Sequence, residues 1–397
     1  MCPADGTHFS SDVVNGDGIW RGPPDWFSFS SYHEADECPR RWALRRATYP
    51  AVWSRAGYPD APYAATLVGD VVHGALQRII GALLAAGCPS ATSAEAVGAL
   101  RELGGYTSVL HEVLDQRVTR LSDNPRISQR LDRLRRQLGQ RIPEMRQRTQ
   151  ATLSRTEFVA EGGAPSSAES RDGERLADGS YPEFELRSSA LGWAGRADLV
   201  TIAGSNVHII DYKTGAPTES HADQLRTYAL LWARRDHGDP ERACATRLTL
   251  SYATHDVNVP APSASELAAL ERELSQRTEV LRAELRSPNP SARPSPDNCG
   301  YCPVRHMCDA YWPTLVHQAP LGPVDVEIHV LRVNGPHSWI AQLSGSNDEA
   351  LIRAPDDLGL KAGLRARVLG AYASSGQETQ SLTITLTSAS EVYALKP

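Results

Sequence analysis

Between Glu183 and Lys213 the chain writes three strand-length runs in close succession. They are EFELRSSA (Glu183 to Ala190), GWAGRADLVTIA (Gly192 to Ala203) and NVHIIDYK (Asn206 to Lys213). A tight Gly/Ser/Asn turn separates the later two, so they read as a hairpin. SHADQLRTYALLWARR then predicts a helix capped by Ser220. RLTLSYAT predicts a further strand and SASELAALERELSQRTEVLRAEL a further helix. The succession is α/β.

Upstream, TLVGDVVHGALQRIIGALLAAG (Thr66 to Gly87) carries Val68, Val72, Leu76, Ile79 and Leu83 at helical spacing, which predicts a buried helix. A helical region follows to about residue 152, with Ile127, Leu131, Leu134, Leu138 and Ile142 on one apolar stripe. Residues 1–26 read as a loose polar tail, and Glu161 to Ser180 as a flexible loop. The four prolines of RSPNPSARPSPDN predict an extended connector. From Val324 onward five short runs broken by Gly, Asn, Asp and Ser predict a small closed barrel, OB-like, over 322–397. All the chemistry-bearing motifs precede Leu321, so the part before the barrel is expected to fold without it.

At 397 residues the chain can bury a full core and is expected to hold two domains. No run of 18 or more apolar residues and no signal-peptide pattern is present, so no membrane association and a cytoplasmic address are expected. The net charge of −6 argues against nucleic-acid binding by the whole surface, though not by a local basic groove. No G-x-x-x-x-G-K-[ST] loop occurs, so the chain encodes no ATP motor.

Lys213 is one of only three lysines, with Lys361 and Lys396, in a chain of 41 lysines and arginines. Residues two apart on a strand share a face, so Asp211 and Lys213 project together while Tyr212 points away. Asp198 lies on the preceding strand of the hairpin. Two carboxylates converging on one face suit a hard divalent cation, which can clamp a phosphate and acidify a water. Lysine offers a compact charge beside that water, where arginine offers a broad fork. An isolated D-x-K is more often an ordinary surface pair. Here His73, Asp198, Gln224 and Tyr228 accompany it in order along the chain.

On these residues the sequence resembles the RecB-type nucleases of the PD-(D/E)XK superfamily, including the AddB-like and CRISPR-associated iron–sulfur exonucleases. The motifs are G-x-x-x-H (Gly69 to His73), G-x-x-D (Gly195 to Asp198), D-x-K (Asp211 to Lys213) and Q-x-x-x-Y (Gln224 to Tyr228). The resemblance covers roughly residues 27–312 and implies a restriction-endonuclease-like mixed sheet flanked by helices, with a helical insertion at about 90–152. It implies a nuclease domain over 27–316. His73, Asp198, Asp211 and the Tyr212 carbonyl would bind Mg2+ or Mn2+, with Asp198, Asp211 and Lys213 catalytic. Gln224 and Tyr228 would contact or position DNA. Glu185 is a further acidic candidate, with Glu183 competing for the role.

CGYCPVRHMC gives C-x2-C-x5-C at Cys299, Cys302 and Cys308, a metal signal lacking a fourth ligand. Cys38, in CPRRW, is the candidate. Spacing alone leaves zinc and an iron–sulfur cluster equally open, with His306 a competing zinc ligand. The resemblance implies a 4Fe-4S cluster acting as a structural staple, because its iron–sulfur members share one early cysteine and a distant C-x2-C-x5-C. Cys2, Cys88 and Cys244 are isolated and read as inert.

Arg126 to Arg148 holds eight arginines against Asp132 and Glu144. Arg133 and Arg136 are candidate phosphate contacts, although a solvated helix face is an equal reading. The expectation is a metal-dependent DNA nuclease acting on single-stranded or end-containing DNA. Repair, recombination or anti-phage defence is its expected setting, alone or beside a separately encoded helicase or defence partner. The rivals are a noncatalytic iron–sulfur DNA-binding scaffold and an RNA-directed nuclease.

Overall fold

The structure, a computed structural model, describes residues 9–10, 18–159, 176–237, 239–317, 321–345, 349–375, 382–387 and 389–395. In chain order the elements begin with β1 (Phe9–Ser10), α1 (Phe29–Glu37), α2 (Pro39–Arg46), α3 (Ala64–Ala85), α4 (Ala96–Glu102), α5 (Gly105–Arg120), α6 (Leu131–Gln140) and α7 (Ile142–Leu153). Then come β2 (Gly179–Ser188), β3 (Trp193–Ala203), β4 (Asn206–Lys213), α8 (Glu219–Ala233), β5 (Arg247–Tyr252), β6 (Asp256–Val259) and α9 (Ala264–Leu285). The last are α10 (Pro296–Gly300), β7 (Gly322–Gly335), β8 (Ser338–Leu343), β9 (Glu349–Arg353), β10 (Arg365–Ser375), β11 (Leu382–Thr385) and β12 (Glu391–Ala394). They form two compact units, one of Pro24–His33 with Ala61–Val280, the other of Met1–Pro23, Glu34–Asp60 and Leu281–Pro397.

The first unit is built on a five-stranded sheet in the order β2-β3-β4-β5-β6. The β3 and β4 strands are antiparallel, as the hairpin reading expected, and β2 joins β3 antiparallel as well; β4 and β5 are parallel, and β6 returns antiparallel. A parallel neighbour needs a crossover, and α8 supplies it. The cap of α8 is Thr218 rather than Ser220, and it makes no side-chain capping bond. The β2 strand begins at Gly179, four residues before the expected start, because Gly179 to Pro182 find partners along Ile202 to Leu199.

The helix α3 is long and apolar enough by length and composition to cross a membrane. Here Leu67, Val68, Val71, Val72, Leu76, Ile79, Ile80 and Leu83 bury into a core shared with α5 and α7, as the helical spacing predicts. Leu199, Ile210 and Tyr212 pack into the same core from the sheet. Strand alternation therefore sends Asp211 and Lys213 to the other face. In the helical insertion the stripe from Ile127 to Ile142 runs over several short pieces rather than one helix. The helix breaks at Arg141, where Pro143 opens the first turn of α7.

In the second unit β7, β8, β9, β11 and β10 pair in that order, and β10 pairs back to β7, closing a barrel of five strands. The β9–β11 pair is parallel and the other pairs of the ring are antiparallel. Ile328, Val330, Trp339, Ile352, Val368 and Ile384 fill its interior. The final apolar run divides into β11 and β12, and β12 extends the sheet beside β10. Of the expected polar tail, 1–8 and 11–17 lie outside the described residues. Phe9–Ser10 run parallel to β12, and Ile19 bridges Thr48. The expected flexible loop lies outside them over 160–175.

In the same unit α2 is stitched to the proline-rich connector. Arg40 N donates to Ser291 O at 2.9 Å and Arg40 Nε to Pro290 O at 2.8 Å. Trp20 Nε1 donates to Leu285 O at 2.9 Å.

Candidate active site and cysteine pocket

The β3–β4 ladder runs from Ala203–Asn206 to Leu199–Ile210 and stops. One further step would set Asp198 opposite Asp211. Instead Asp198 Oδ2 accepts a 2.6 Å hydrogen bond from Tyr212 N. A carboxylate thus replaces a backbone carbonyl at the end of the ladder and stays beside Asp211. His73 Nδ1, on α3, lies 3.7 Å from Asp198 Oδ1.

Lys213 Nζ lies 2.5 Å from Asp211 Oδ2 and donates to Gln224 Oε1 at 2.6 Å. Lysine can only donate, so this bond fixes the orientation of the Gln224 amide. Gln224 Nε2 is then free to donate to Tyr228 OH, at 2.8 Å. The four motifs of the sequence therefore meet in one place, and Gln224 and Tyr228 do so by holding Lys213.

Two motif glycines are required by packing. A Cβ at Gly69 would meet Thr214 Oγ1 at 2.8 Å, and one at Gly195 would meet Tyr228 Cε1 at the same distance. Thr214, which the motifs did not single out, also accepts from Arg148 Nη1 through its carbonyl at 3.1 Å. The G-x-x-x-H glycine was the available signal for that contact. Tyr252, paired with Lys213 across the parallel β4–β5 ladder, and His221, whose Nδ1 lies 2.9 Å from Tyr252 OH, were also missed.

Glu183 outcompetes Glu185 as the further acidic neighbour. In the β2–β3 register it falls opposite Asp198, between Pro182–Leu199 and Phe184–Ala197. Burial and then the Asp198 charge raise its pKa, while Arg196 and His73 pull it down. Glu185 only stands opposite Arg196 in the strand register and is exposed, whereas Arg196 Nη1 lies 3.7 Å from Glu183 Oε2. Glu183 has φ of 53°, and it is the one non-glycine with positive φ among the described residues. That left-handed backbone inside a strand is costly and marks a constrained position.

Burial, and then the Asp198 charge, push the Asp211 pKa up, against the pull of Lys213. Burial alone would lower the His73 pKa, but Asp198 and Asp211 outweigh it and the net shift is upward. Asp211 Oδ2 is buried and, despite its close ion pair with Lys213, has no aligned hydrogen-bond donor. Among the described residues no three His, Cys, Asp or Glu side chains stand close enough together to hold a metal ion as they are placed. The donor set nevertheless fits a hard divalent cation, with Asp198 and Asp211 as oxygen ligands and His73 beside them.

Cys38, Cys299, Cys302 and Cys308 line one pocket, together with Arg40, Arg41, Arg293, Arg305 and Tyr311. Cys38 caps α2, its Sγ accepting from Arg41 N at 3.4 Å. Burial raises the thiol pKa of Cys299, of Cys308 and of Cys302, the last to about 12. A thiol must lose its proton to ligate a metal, and four cysteines around one space are a donor set for one. His306 is buried, stacked on Tyr393 with ring centroids 3.8 Å apart, and is not among the pocket's lining residues. Cys88 is buried in the core of the other unit, and Cys244 is exposed; Cys2 lies outside the described residues.

Arg133 and Arg136 lie on the exposed side of α6, opposite Leu138. Within the run Arg135 pairs with Asp115, and Arg141 and Arg148 with Glu144.

No curated protein matches the chain. Among solved structures, the crystal structure of the p204 HINb domain is similar at 14% identity over 27% of this chain and 56% of that one, with a TM-score of 0.18. The structure of a murine DNA binding protein bound with ds DNA is similar at 10% identity over 55% of this chain and 95% of that one, with a TM-score of 0.19. At such TM-scores neither likeness bears on the fold or the site. The match that counts covers most of the chain: the family model of the PD-(D/E)XK nuclease superfamily spans residues 26–309, taking in the carboxylates, Lys213 and all four cysteines and ending before the barrel. Nucleases of that superfamily use divalent metals such as Mg2+ or Mn2+, the ions for which Asp198 and Asp211 are suited, and the chain belongs to the PD-(D/E)XK nuclease superfamily.

Proposed function

We propose that this chain is a RecB-type, metal-dependent DNA nuclease that hydrolyses phosphodiester bonds in single-stranded or end-containing DNA. The observation that carries the reading is the convergence of Asp198, Asp211 and Lys213, with Gln224 holding the lysine 2.6 Å from its own Oε1. When bound, Mg2+ or Mn2+ would polarise the scissile phosphate and lower the pKa of the attacking water. Asp198, Asp211, His73 and the Tyr212 carbonyl would hold that ion. Lys213 orients the water and offsets charge developing on phosphorus. Gln224 and Tyr228 fix Lys213 and stand next to the substrate strand. Glu183 supplies a further carboxylate beside Asp198.

The four cysteines are assigned a 4Fe-4S cluster that staples the N-terminal entry to the far end of the matched region. The five-stranded ring with one parallel pair supports an OB-like reading of the barrel, and Arg133 and Arg136 remain candidates for phosphate tracking. A cytoplasmic setting in repair, recombination or defence, beside a separately encoded helicase, completes the proposal.

The test is cleavage of labelled single-stranded, duplex and circular DNA by anaerobically purified protein with Mg2+, Mn2+ or EDTA. Metal-dependent cutting abolished by Asp211→Ala is expected. Binding without cutting in every metal would leave the noncatalytic scaffold, and preferential cutting of RNA would move the substrate class.

A further inference from the structure

Arg41 lines the cysteine pocket from the third position of α2, three residues after Cys38. Its outer nitrogens are committed. Nη2 pairs with Glu37 Oε2 at 2.5 Å and donates to Glu34 O at 3.4 Å, and Nη1 donates to Asn298 O at 3.5 Å. Its Nε is buried and has no hydrogen-bond partner. A buried guanidinium N–H left unpaired is costly, and native structures rarely tolerate one without a reason. Arg40 makes the contrast. It lines the same pocket, but its Nε is spent on Pro290 O.

An anchored cation with one unused donor, set among four cysteines, is placed to meet sulfur that carries negative charge. Thiolates and bridging sulfides carry it; neutral thiols do not. We propose that Arg41 Nε donates a hydrogen bond to the sulfur shell of the group held by Cys38, Cys299, Cys302 and Cys308, helping to hold that group and raising its reduction potential. Hydrogen bonds to sulfur and nearby positive charge stabilise the more negative, reduced state of a cluster. The inference rests on the 4Fe-4S reading of the pocket.

The experiment compares wild type, Arg41→Met and Arg41→Lys, purified anaerobically as the full chain. Iron and sulfide content are measured, and the midpoint potential is read by EPR during titration with dithionite, which supplies one electron per cluster. Arg41→Met removes both charge and donor. Arg41→Lys keeps the charge and can keep the Glu37 pair, but it loses the donor at Nε. The expected result is a midpoint shifted to more negative values in Arg41→Met, with a smaller shift in the same direction in Arg41→Lys. Loss of iron from both variants, with circular dichroism unchanged, would equally support the holding role. Wild-type iron content and an unmoved potential in both variants would overturn the inference while leaving the cluster in place. Colourless wild-type protein carrying stoichiometric zinc would overturn the cluster reading, and the inference with it.

Discussion

Tyr228 lies against Gly195 so closely that a Cβ there would sit 2.8 Å from Tyr228 Cε1 and 3.2 Å from Leu231 Cδ1. The glycine of β3 and the tyrosine of α8 are therefore one device. Gly195→Ala should push the ring away and strip Gln224 Nε2 of its acceptor, loosening the amide that holds Lys213. Overpacking of this kind costs about 1–3 kcal/mol. Cleavage should fall about 10- to 100-fold, as for lost outer-shell support, while metal-induced thermal stabilisation persists. A Gly195→Ala protein with wild-type kcat would separate the glycine from the lysine.

Glu183 combines a left-handed backbone with a carboxylate facing Asp198. Asparagine tolerates φ of 53° better than glutamate and carries no charge. Glu183→Asn should raise the metal-free melting temperature, by about 0.5–1 kcal/mol of stability if part of the strain is relieved. It should lower cleavage about 10- to 100-fold if the carboxylate serves the metal. A drop in both stability and activity would mean that Glu183 is needed for folding rather than kept for chemistry.

The barrel tests the expectation that the chain before Leu321 folds by itself. Asp325 of β7 pairs with Arg305 at 2.5 Å, and Tyr311 OH donates to Asp325 Oδ2 at 2.8 Å. Arg367 of β10 donates to His306 O, and Leu369 and Tyr393 pack on Tyr311 and Trp312. A chain cut at Leu321 should expose these aromatics and leave Arg305 without its largely shielded partner. Losing one partner of a buried pair costs about 3–5 kcal/mol. Poor soluble yield and loss of metal from the cysteines should follow, measured against the intact chain by metal analysis. Full yield and full metal content would restore the sequence-based expectation.

The contacts of the cysteine segment with the barrel were invisible in the sequence because they are single long-range pairs with no period or motif. Hairpin alternation, by contrast, made β3 and β4 legible, and helical spacing exposed the buried face of α3. The D-x-K strand announced its lysine by composition alone. What Gln224 does was not legible: a glutamine on a helix face says nothing until Lys213 lies within reach. The left-handed Glu183 was equally hidden, since glutamate gives no turn signal. The Ser220 cap failed because a neighbouring threonine, Thr218, already held the extended cap conformation.

His208 sits on β4 between Thr201 and Arg247, and its Nε2 lies 2.8 Å from Thr249 Oγ1. Thr249 Oγ1 donates its proton to Asn258 Oδ1 at 3.2 Å, which leaves its lone pair to accept from His208 Nε2–H. Burial first, and then the Arg247 charge, lower the His208 pKa to about 4. Between that value and the ordinary value of about 6.5 the unfolded chain binds a proton that the folded chain refuses. Stability from this group is therefore complete above about pH 6.5 and falls as the pH drops toward 4. Allowing for partial exposure, the loss should be about 1–3 kcal/mol. Urea midpoints at pH 7 and pH 5 should lie closer together in His208→Gln than in wild type. Identical shifts in the two proteins would remove His208 from the acid response.

Lys213 is the residue whose replacement separates chemistry from fold most cleanly. Its Nζ sits between Asp211 Oδ2 at 2.5 Å and Gln224 Oε1 at 2.6 Å, a space sized for one ammonium. Arginine keeps the charge but brings a planar fork that cannot occupy that point without displacing the glutamine or the attacking water. Lys213→Arg should therefore lose about 100- to 1000-fold in cleavage rate, nearly as much as Lys213→Ala. DNA affinity measured with Ca2+ should change little, because one charge is a small part of a phosphate-tracking surface. Asp211→Ala should also stop cleavage, but through metal affinity, so raising Mn2+ should recover part of its activity and none of that lost in Lys213→Arg. A Lys213→Arg protein that cuts at the wild-type rate would leave Asp211 and Gln224 as a structural clamp for any cation. The choice of lysine here, in a chain that otherwise favours arginine, would then have no catalytic meaning.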